Sequence, residues 1–194
     1  MAKVQRDRVF RPIYPSPAAL ISCVAVDGTP NIITLGETFN ISIGKPVVVG
    51  LAIAPERYSY ELIRDSGEFV VNLPTADMAE VVDRCGSVSG RAVGDKFAHV
   101  GLTPVPGSVV AAPLVAECPV NIECRLIDII PAGDHDLFRG EAVAEHVDEA
   151  CLDADGRMLV DKLDPLVYMR GEYWSVGRKL GFHGYTRRQS GGGD

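Results

Sequence analysis

Asn31, Thr34, Thr38, Asn40 and Ser42 precede, and Arg57, Tyr58, Ser59 and Tyr60 follow, one short apolar run from Val47 to Ile53. Hydroxyls, amides and a guanidinium suit a phosphorylated, hydrogen-bond-rich ligand if the two ends of that run meet in one cleft. Arg57 is the leading phosphate candidate: a forked donor stands just before Ser59, which reads as the N-cap of a helix whose first amides would face an anion. Arg91 and Lys96 are further cations able to meet a phosphate, although Lys96 after Asp95 also reads as half of a surface ion pair. His135 lies between Asp134 and Asp136 and has two readings, an imidazole that orients a substrate and a solvated turn histidine. His99, His146 and His183 lack metal-ligand spacing to Cys or Glu, so no metal site is expected. The chain has no nucleophile-elbow serine, no G-x-G-x-x-G after a strand and no Walker-type lysine loop. Serine hydrolase, Rossmann and P-loop chemistry are therefore unsupported.

Strands must hold these groups. Val47 to Ile53, bounded by Pro46 and Pro55, reads as a strand buried on both faces. Ala18 to Val26, an Asp27-Gly28-Thr29-Pro30 turn and Asn31 to Leu35 read as a hairpin feeding the polar loop. Ser59 to Ser66 reads as a short helix stopped by Gly67, and Glu68 to Leu73 as a strand closed by Pro74. Thr75 to Cys85 reads as a helix capped by Thr75 or Asp77 and stopped by Gly86. Ser87 to Lys96 is glycine-rich and reads as a loop, and Thr103 to Pro113 as a proline-bounded connection. Val120 to Ile130 and Leu137 to Val147 are predicted as two long antiparallel strands. An acidic loop from Cys151 to Arg157, a strand near Leu166 to Met169 and an aromatic cluster of Tyr168, Tyr173 and Trp174 follow. Many short strands and few short helices predict an antiparallel barrel with attached helices.

With 194 residues, 46% of them hydrophobic, the chain can fill one core and is short for two. A single domain over 1–194 is expected, with an N-terminal arm over 1–17 that carries little chemistry and a flexible tail over 188–194. A net charge of −7 argues against nucleic acid as a principal partner. Cys23, Cys85, Cys118, Cys124 and Cys151 form no C-x-x-C pair, and their odd number precludes a complete intramolecular disulfide framework. They read as small buried hydrophobes in a reducing compartment, with Cys118 and Cys124 on the same side of one strand. No signal-like segment or apolar run of about 20 residues is present, so a soluble, cytoplasmic protein without a membrane partner is expected.

Several stretches follow the order and approximate spacing of one known family. They are Asn31 to Ser42, Pro55-Glu56-Arg57-Tyr58-Ser59-Tyr60, Glu68-Phe69-Val70-Val71-Asn72-Leu73-Pro74-Thr75, and Cys85-Gly86 with Ser89-Gly90-Arg91. Asp95-Lys96-Phe97, Glu117-Cys118-Pro119-Val120, His135-Asp136-Leu137-Phe138 and Leu180-Gly181 continue the series. The chain resembles the flavin reductase-like, FMN-binding split-barrel family, in particular its flavoredoxin-like branch. The resemblance implies a mainly β, antiparallel Greek-key split β-barrel with a few short α-helices, paired as a homodimer with one FMN near each end of the interface. It implies an NAD(P)H-dependent flavin reductase, with NADH or NADPH as donor. The alternative is an FMN electron-transfer protein that serves a redox protein partner without turning over nicotinamide. Thr34, Leu35, Thr38, Asn40 and Ser42 match the segment that lines the flavin ring. Asn31, Gly36, Glu37, Arg57, Ser59, Asn72, Ser89, Arg91 and Lys96 complete the cofactor-binding set, and His135 matches a histidine near the flavin. Glu37 stands where the flavoredoxin-like pattern commonly has tryptophan. Its carboxylate would lower the flavin potential if it faced the ring, and would do nothing if it faced solvent.

Overall fold

The computed structural model describes residues 1–189. Its strands are β1 (Ser16–Pro17), β2 (Ala19–Val24), β3 (Pro30–Leu35), β4 (Thr38–Ser42), β5 (Val48–Ile53), β6 (Glu68–Leu73), β7 (Pro104–Val105), β8 (Leu114–Val115), β9 (Val120–Pro131), β10 (Asp136–Val147), β11 (Leu166–Met169) and β12 (Glu172–Ser175). Its helices are α1 (Tyr58–Ser66), α2 (Ala79–Ser87), α3 (Gly90–Val93), α4 (Lys96–Val100) and α5 (Tyr185–Gln189). The tail expected over 188–194 begins inside α5, and 190–194 lie outside the described residues.

Seven strands form one antiparallel sheet in the order β3-β2-β6-β9-β10-β5-β4. Its two edge strands, β3 and β4, are separated in sequence only by Gly36 and Glu37. So short a link curls the sheet and brings its two edge strands together at Gly36 and Glu37, and the amide of Ala52 in β5 donates to the carbonyl of Glu37 at 2.9 Å, carrying the β4–β5 pairing into the link. This rolled, antiparallel, mainly β fold is the class the sequence predicted.

Period-2 alternation sorts the apolar residues into two layers. Ala19, Ile21 and Cys23 of β2 point into the barrel with Leu51, Phe69, Cys124 and Phe138, while Ala18 and Leu20 face a second cluster with Val82, Cys85, Phe97 and Leu166. β2 is therefore the strand buried along its whole length on both faces; β5 begins at Val48, and the preceding Val47 is 39% exposed. Cys118 lies before β9 in the second cluster and Cys124 on β9 in the first, so they do not share one strand face. All five cysteines are buried and free.

Four local expectations change. Arg57, not Ser59, is the N-cap of α1, and Ser59 sits one residue inside the helix with its hydroxyl buried. α2 continues through Gly86 to Ser87, and a 3-10 turn over Ala76–Met78 precedes it, with Thr75 donating to the Asp77 carboxylate instead of a helix amide. The predicted loop from Ser87 to Lys96 contains α3, and Lys96 opens α4, whose N-cap Asp95 accepts from the Ala98 amide at 3.0 Å. Tyr168 and Tyr173 pack with ring centroids 5.5 Å apart, but Trp174 is 50% exposed and donates to Glu172.

Candidate functional site

A cleft opens where β3, the β3–β4 link, α1 and the end of α2 converge, and it has two compartments of different chemistry. The inner one, about 240 Å³, is lined by Asn31, Arg57, Ser59, Ser89 and Lys96 among others. Ser59 is held there by Asn31, whose amide nitrogen donates to the Ser59 hydroxyl at 2.7 Å. The amide oxygen of Asn31 is buried with no hydrogen-bond partner, an acceptor awaiting a donor. α1 begins at this compartment without a side-chain cap, so its first amides remain unsatisfied by any side chain.

Lys96 decides the character of this end. It is only 3% exposed. Burial lowers its pKa; Cys85 and Cys23 oppose that in part, and the nearby Arg57 charge adds a smaller lowering effect. Among the described residues neither Lys96 nor Arg57 has a salt-bridge partner, although Glu56 lines the same compartment. Two cations beside a bare helix N-terminus form a site for a phosphate dianion.

The outer compartment, about 280 Å³, shares Ile33, Arg57, Gly86 and Ser87 with the inner one and so continues it. It is lined by Thr34, Leu35, Gly36, Glu37, Ala54 and His135, with Tyr168 and Tyr173 as aromatic wall. The Thr34 hydroxyl donates to the Val82 carbonyl at 2.7 Å, which ties β3 to α2 and leaves backbone to face the cleft. Gly36 is required here, because a Cβ would lie 2.9 Å from the Tyr168 ring. Burial, and next the Asp83 charge, pushes the Tyr173 phenol up to about 12. Its hydroxyl is hydrogen-bonded to Asp83. His135 sits at the mouth, 3.0 Å from the Asp134 carboxylate, with its side chain 36% exposed.

Of the expected cofactor set, the fold brings Thr34, Leu35, Gly36 and Glu37 to the outer compartment, Asn31, Ser59, Ser89 and Lys96 to the inner one, and Arg57 to both. Five others lie elsewhere. Asn72 is fully buried, donating to the Leu20 carbonyl and Ser22 hydroxyl and accepting from Val115 and Asn121, so its polar capacity is spent in the core. Arg91 pairs with Glu61 and lies over the Tyr58 ring at 5.0 Å. Thr38 and Asn40 line an apolar groove beside the N-terminal arm that adjoins the outer compartment through Arg11, Gly36, Glu37 and Tyr168, and Ser42 donates to the Pro46 carbonyl. Arg11, Tyr168, Tyr173 and Asp83 were not anticipated, since only the folded chain brings them to β3. Among the described residues no cluster of His, Cys, Asp or Glu could hold a metal, and no helix is long and apolar enough to cross a membrane.

A cationic, donor-rich pocket leading into a slot walled by backbone and tyrosines fits a phosphorylated planar ring system, and the unpartnered Asn31 oxygen suits a polyol linker between the two. Comparison with known proteins places the chain in a family. The flavin reductase like domain matches residues 10–177. The chain belongs to the flavin reductase-like family. A relative from Aeropyrum pernix whose name states no function is 40% identical over 125 residues, 64% of this chain but 46% of that protein. The chain thus spans less than half of that relative's length. Flavoredoxin of Desulfovibrio vulgaris (Miyazaki F) superposes with a TM-score of 0.87 at 33% identity, covering 96% of this chain and 100% of that one. An NADH:riboflavin 5'-phosphate oxidoreductase from Streptomyces pristinaespiralis is 28% identical over 130 residues, 66% of this chain and 69% of that protein.

Proposed function

We propose that this flavin reductase-like protein binds FMN in the two-compartment cleft and uses it to oxidise NADH or NADPH. When bound, FMN supplies hydride-accepting, two-electron chemistry. The chain's own residues supply position and charge. Arg57 and Lys96 hold the phosphate with the first amides of α1, and the Ser59 and Ser89 hydroxyls complete that pocket. The backbone from Thr34 to Glu37 lines one edge of the ring slot, and Tyr168 and Tyr173 exclude water from one wall. His135, oriented by Asp134 at the mouth, is placed to meet an incoming substrate. The observation that carries this reading is the pair Arg57 and Lys96, two cations in one pocket, neither of which forms a salt bridge among the described residues.

A second reading has support of its own: the 33% identity to a flavoredoxin across 96% of the chain favours electron transfer to a redox protein without nicotinamide turnover. Visible spectra of the purified chain before and after FMN addition, then after anaerobic NADH or NADPH, separate the two. Bleaching of the flavin band by nicotinamide supports the reductase. Bound flavin that stays oxidised supports the electron carrier, and failure to take up FMN contradicts both.

We also propose a homodimer. β4 is a sheet edge, and Phe39, Ile41 and Ile43 on and after it are 46%, 43% and 89% exposed beside an apolar groove of about 750 Å³. A two-fold partner would cover this edge and its apolar surface.

A further inference from the structure

The N-terminal arm reaches the cleft. Arg11 lines the outer compartment and forms an ion pair with Glu37, each side chain about one third exposed at 33% and 35%. The Arg11 guanidinium also lies 5.2 Å from the centre of the Tyr168 ring and 5.7 Å from that of Phe10. Arg11 adopts a φ of 41°, a left-handed conformation that a non-glycine residue adopts at a cost, so its contacts hold it there. Those contacts are independent of one another. Arg170 donates to the Phe10 carbonyl at 2.7 Å, β1 pairs with β11 through Ser16 and Tyr168, and the Tyr168 ring packs over Gly36. Phe10, Arg11, Tyr168, Gly36 and Glu37 thus form one continuous strap across the ring end of the cleft.

The charges there explain what the strap does. Glu37 and Asp83 both line the outer compartment, and Asp134 stands at its mouth beside His135. Accepting a hydride from a nicotinamide leaves the donor as the oxidised pyridinium and adds one unit of negative charge at this end. Uncompensated carboxylates would oppose that charge, and in a partly enclosed cleft the opposition is only weakly screened. Arg11 is the cation in contact with Glu37.

We propose that Arg11 is a positioning residue that neutralises Glu37 and so sets the reduction potential of the bound flavin, while strapping the arm over the ring end of the cleft. The proposal rests on the FMN reading above, and it accounts for a carboxylate at position 37 that would otherwise disfavour reduction.

The test is a spectroelectrochemical titration of the FMN-loaded chain and its Arg11→Gln, Arg11→Lys, Glu37→Gln and Arg11→Gln/Glu37→Gln variants. Arg11→Gln should weaken binding of reduced relative to oxidised FMN about tenfold, a midpoint lower by about 30 mV for a two-electron couple. Arg11→Lys should retain the parent midpoint. The double variant, which removes both charges together, should return close to the parent midpoint. An unchanged midpoint in Arg11→Gln, or a double variant that stays as low as Arg11→Gln, overturns the proposal while leaving FMN binding intact. A parent chain that takes up no FMN overturns the functional reading as well, so the two failures are distinguishable. In the ligand-free chain, Arg11→Gln should speed hydrogen exchange at the amides of Phe10, Ile13, Tyr14 and Ser16, and unchanged exchange overturns the strap.

Discussion

Lys96 carries two opposed roles in one side chain. Its ammonium is costly to bury, so in the ligand-free chain its pKa lies below the ordinary value of 10.5. A group with a depressed folded pKa contributes its full stability above the unfolded value and loses it as pH falls through the folded one. At neutral pH Lys96 therefore weighs against the ligand-free fold, and a phosphate that pairs with it removes that cost. Lys96→Met should raise the melting temperature of the ligand-free chain at pH 7 and weaken FMN by roughly ten- to a hundredfold, since hydrogen bonds to charged groups contribute about 1.5–3 kcal/mol. Thermal melts with and without FMN check both signs, and a variant that loses stability in both states contradicts this reading. Arg11 illustrates the limit of a linear reading. It belongs to an arm that, read from sequence, carries little chemistry, and only the pairing of β1 with β11 brings it to Glu37.

The connection between β7 and β8 is tethered by a single buried carboxylate on β9. Glu123 accepts from the Ser108 amide and hydroxyl, from the Val109 and Val110 amides and from His146, all within 2.6–2.8 Å. Burial pushes its pKa up, but the hydrogen bonds from Ser108, His146 and the loop amides together outweigh it and hold Glu123 at about 2. Its stabilisation is complete above the ordinary 4.5 and is lost as pH falls towards about 2. Glu123→Gln should cost about 3 kcal/mol at neutral pH, from the 1.36 kcal/mol per pKa unit, and should flatten the acid limb of the stability profile between those values. Urea unfolding at stepped pH reads this, and a parallel acid limb in the variant would contradict it.

Elements with strong alternation were legible from the sequence. β9 and β10 were expected over Val120 to Ile130 and Leu137 to Val147 and form over Val120–Pro131 and Asp136–Val147. The hairpin of β2 and β3 was equally clear, because Asp27 and Gly28 have the turn chemistry that their positions need; the Asp27 carboxylate accepts from the Thr29 amide at 2.9 Å and Gly28 has a φ of 87°. Less legible were groups whose partners are distant in sequence. Nothing local to Asn72 shows that it will bond to Leu20 and Asn121, and nothing local to Ser42 shows that it will donate to the Pro46 carbonyl. Ser59 looked like a cap by type, yet Asn31 holds it inside the first turn of α1.

The whole molecule is a curled sheet whose two edge strands are joined through Gly36 and Glu37 beside the cleft, so its exposed edge and its site are neighbours. If β4 and its apolar groove are covered by a second copy, sedimentation at micromolar concentration should give twice the 20.8 kDa chain mass. Ile43→Glu, at a position 89% exposed and so without cost to folding, should shift that species towards monomer. A parent chain that sediments as a monomer would contradict the proposed interface. The central claim is that Arg57 and Lys96 anchor the phosphate of FMN at the inner end of the cleft. Fluorescence quenching of FMN and of riboflavin by the parent chain and Arg57→Ala, at one ionic strength, tests it most directly. The account predicts roughly ten- to a hundredfold weaker FMN with riboflavin changed less than about twofold, because one charge-assisted contact of about 1.5–3 kcal/mol is lost and riboflavin has no phosphate to lose it. Equal loss for both ligands, or no loss for either, would contradict it.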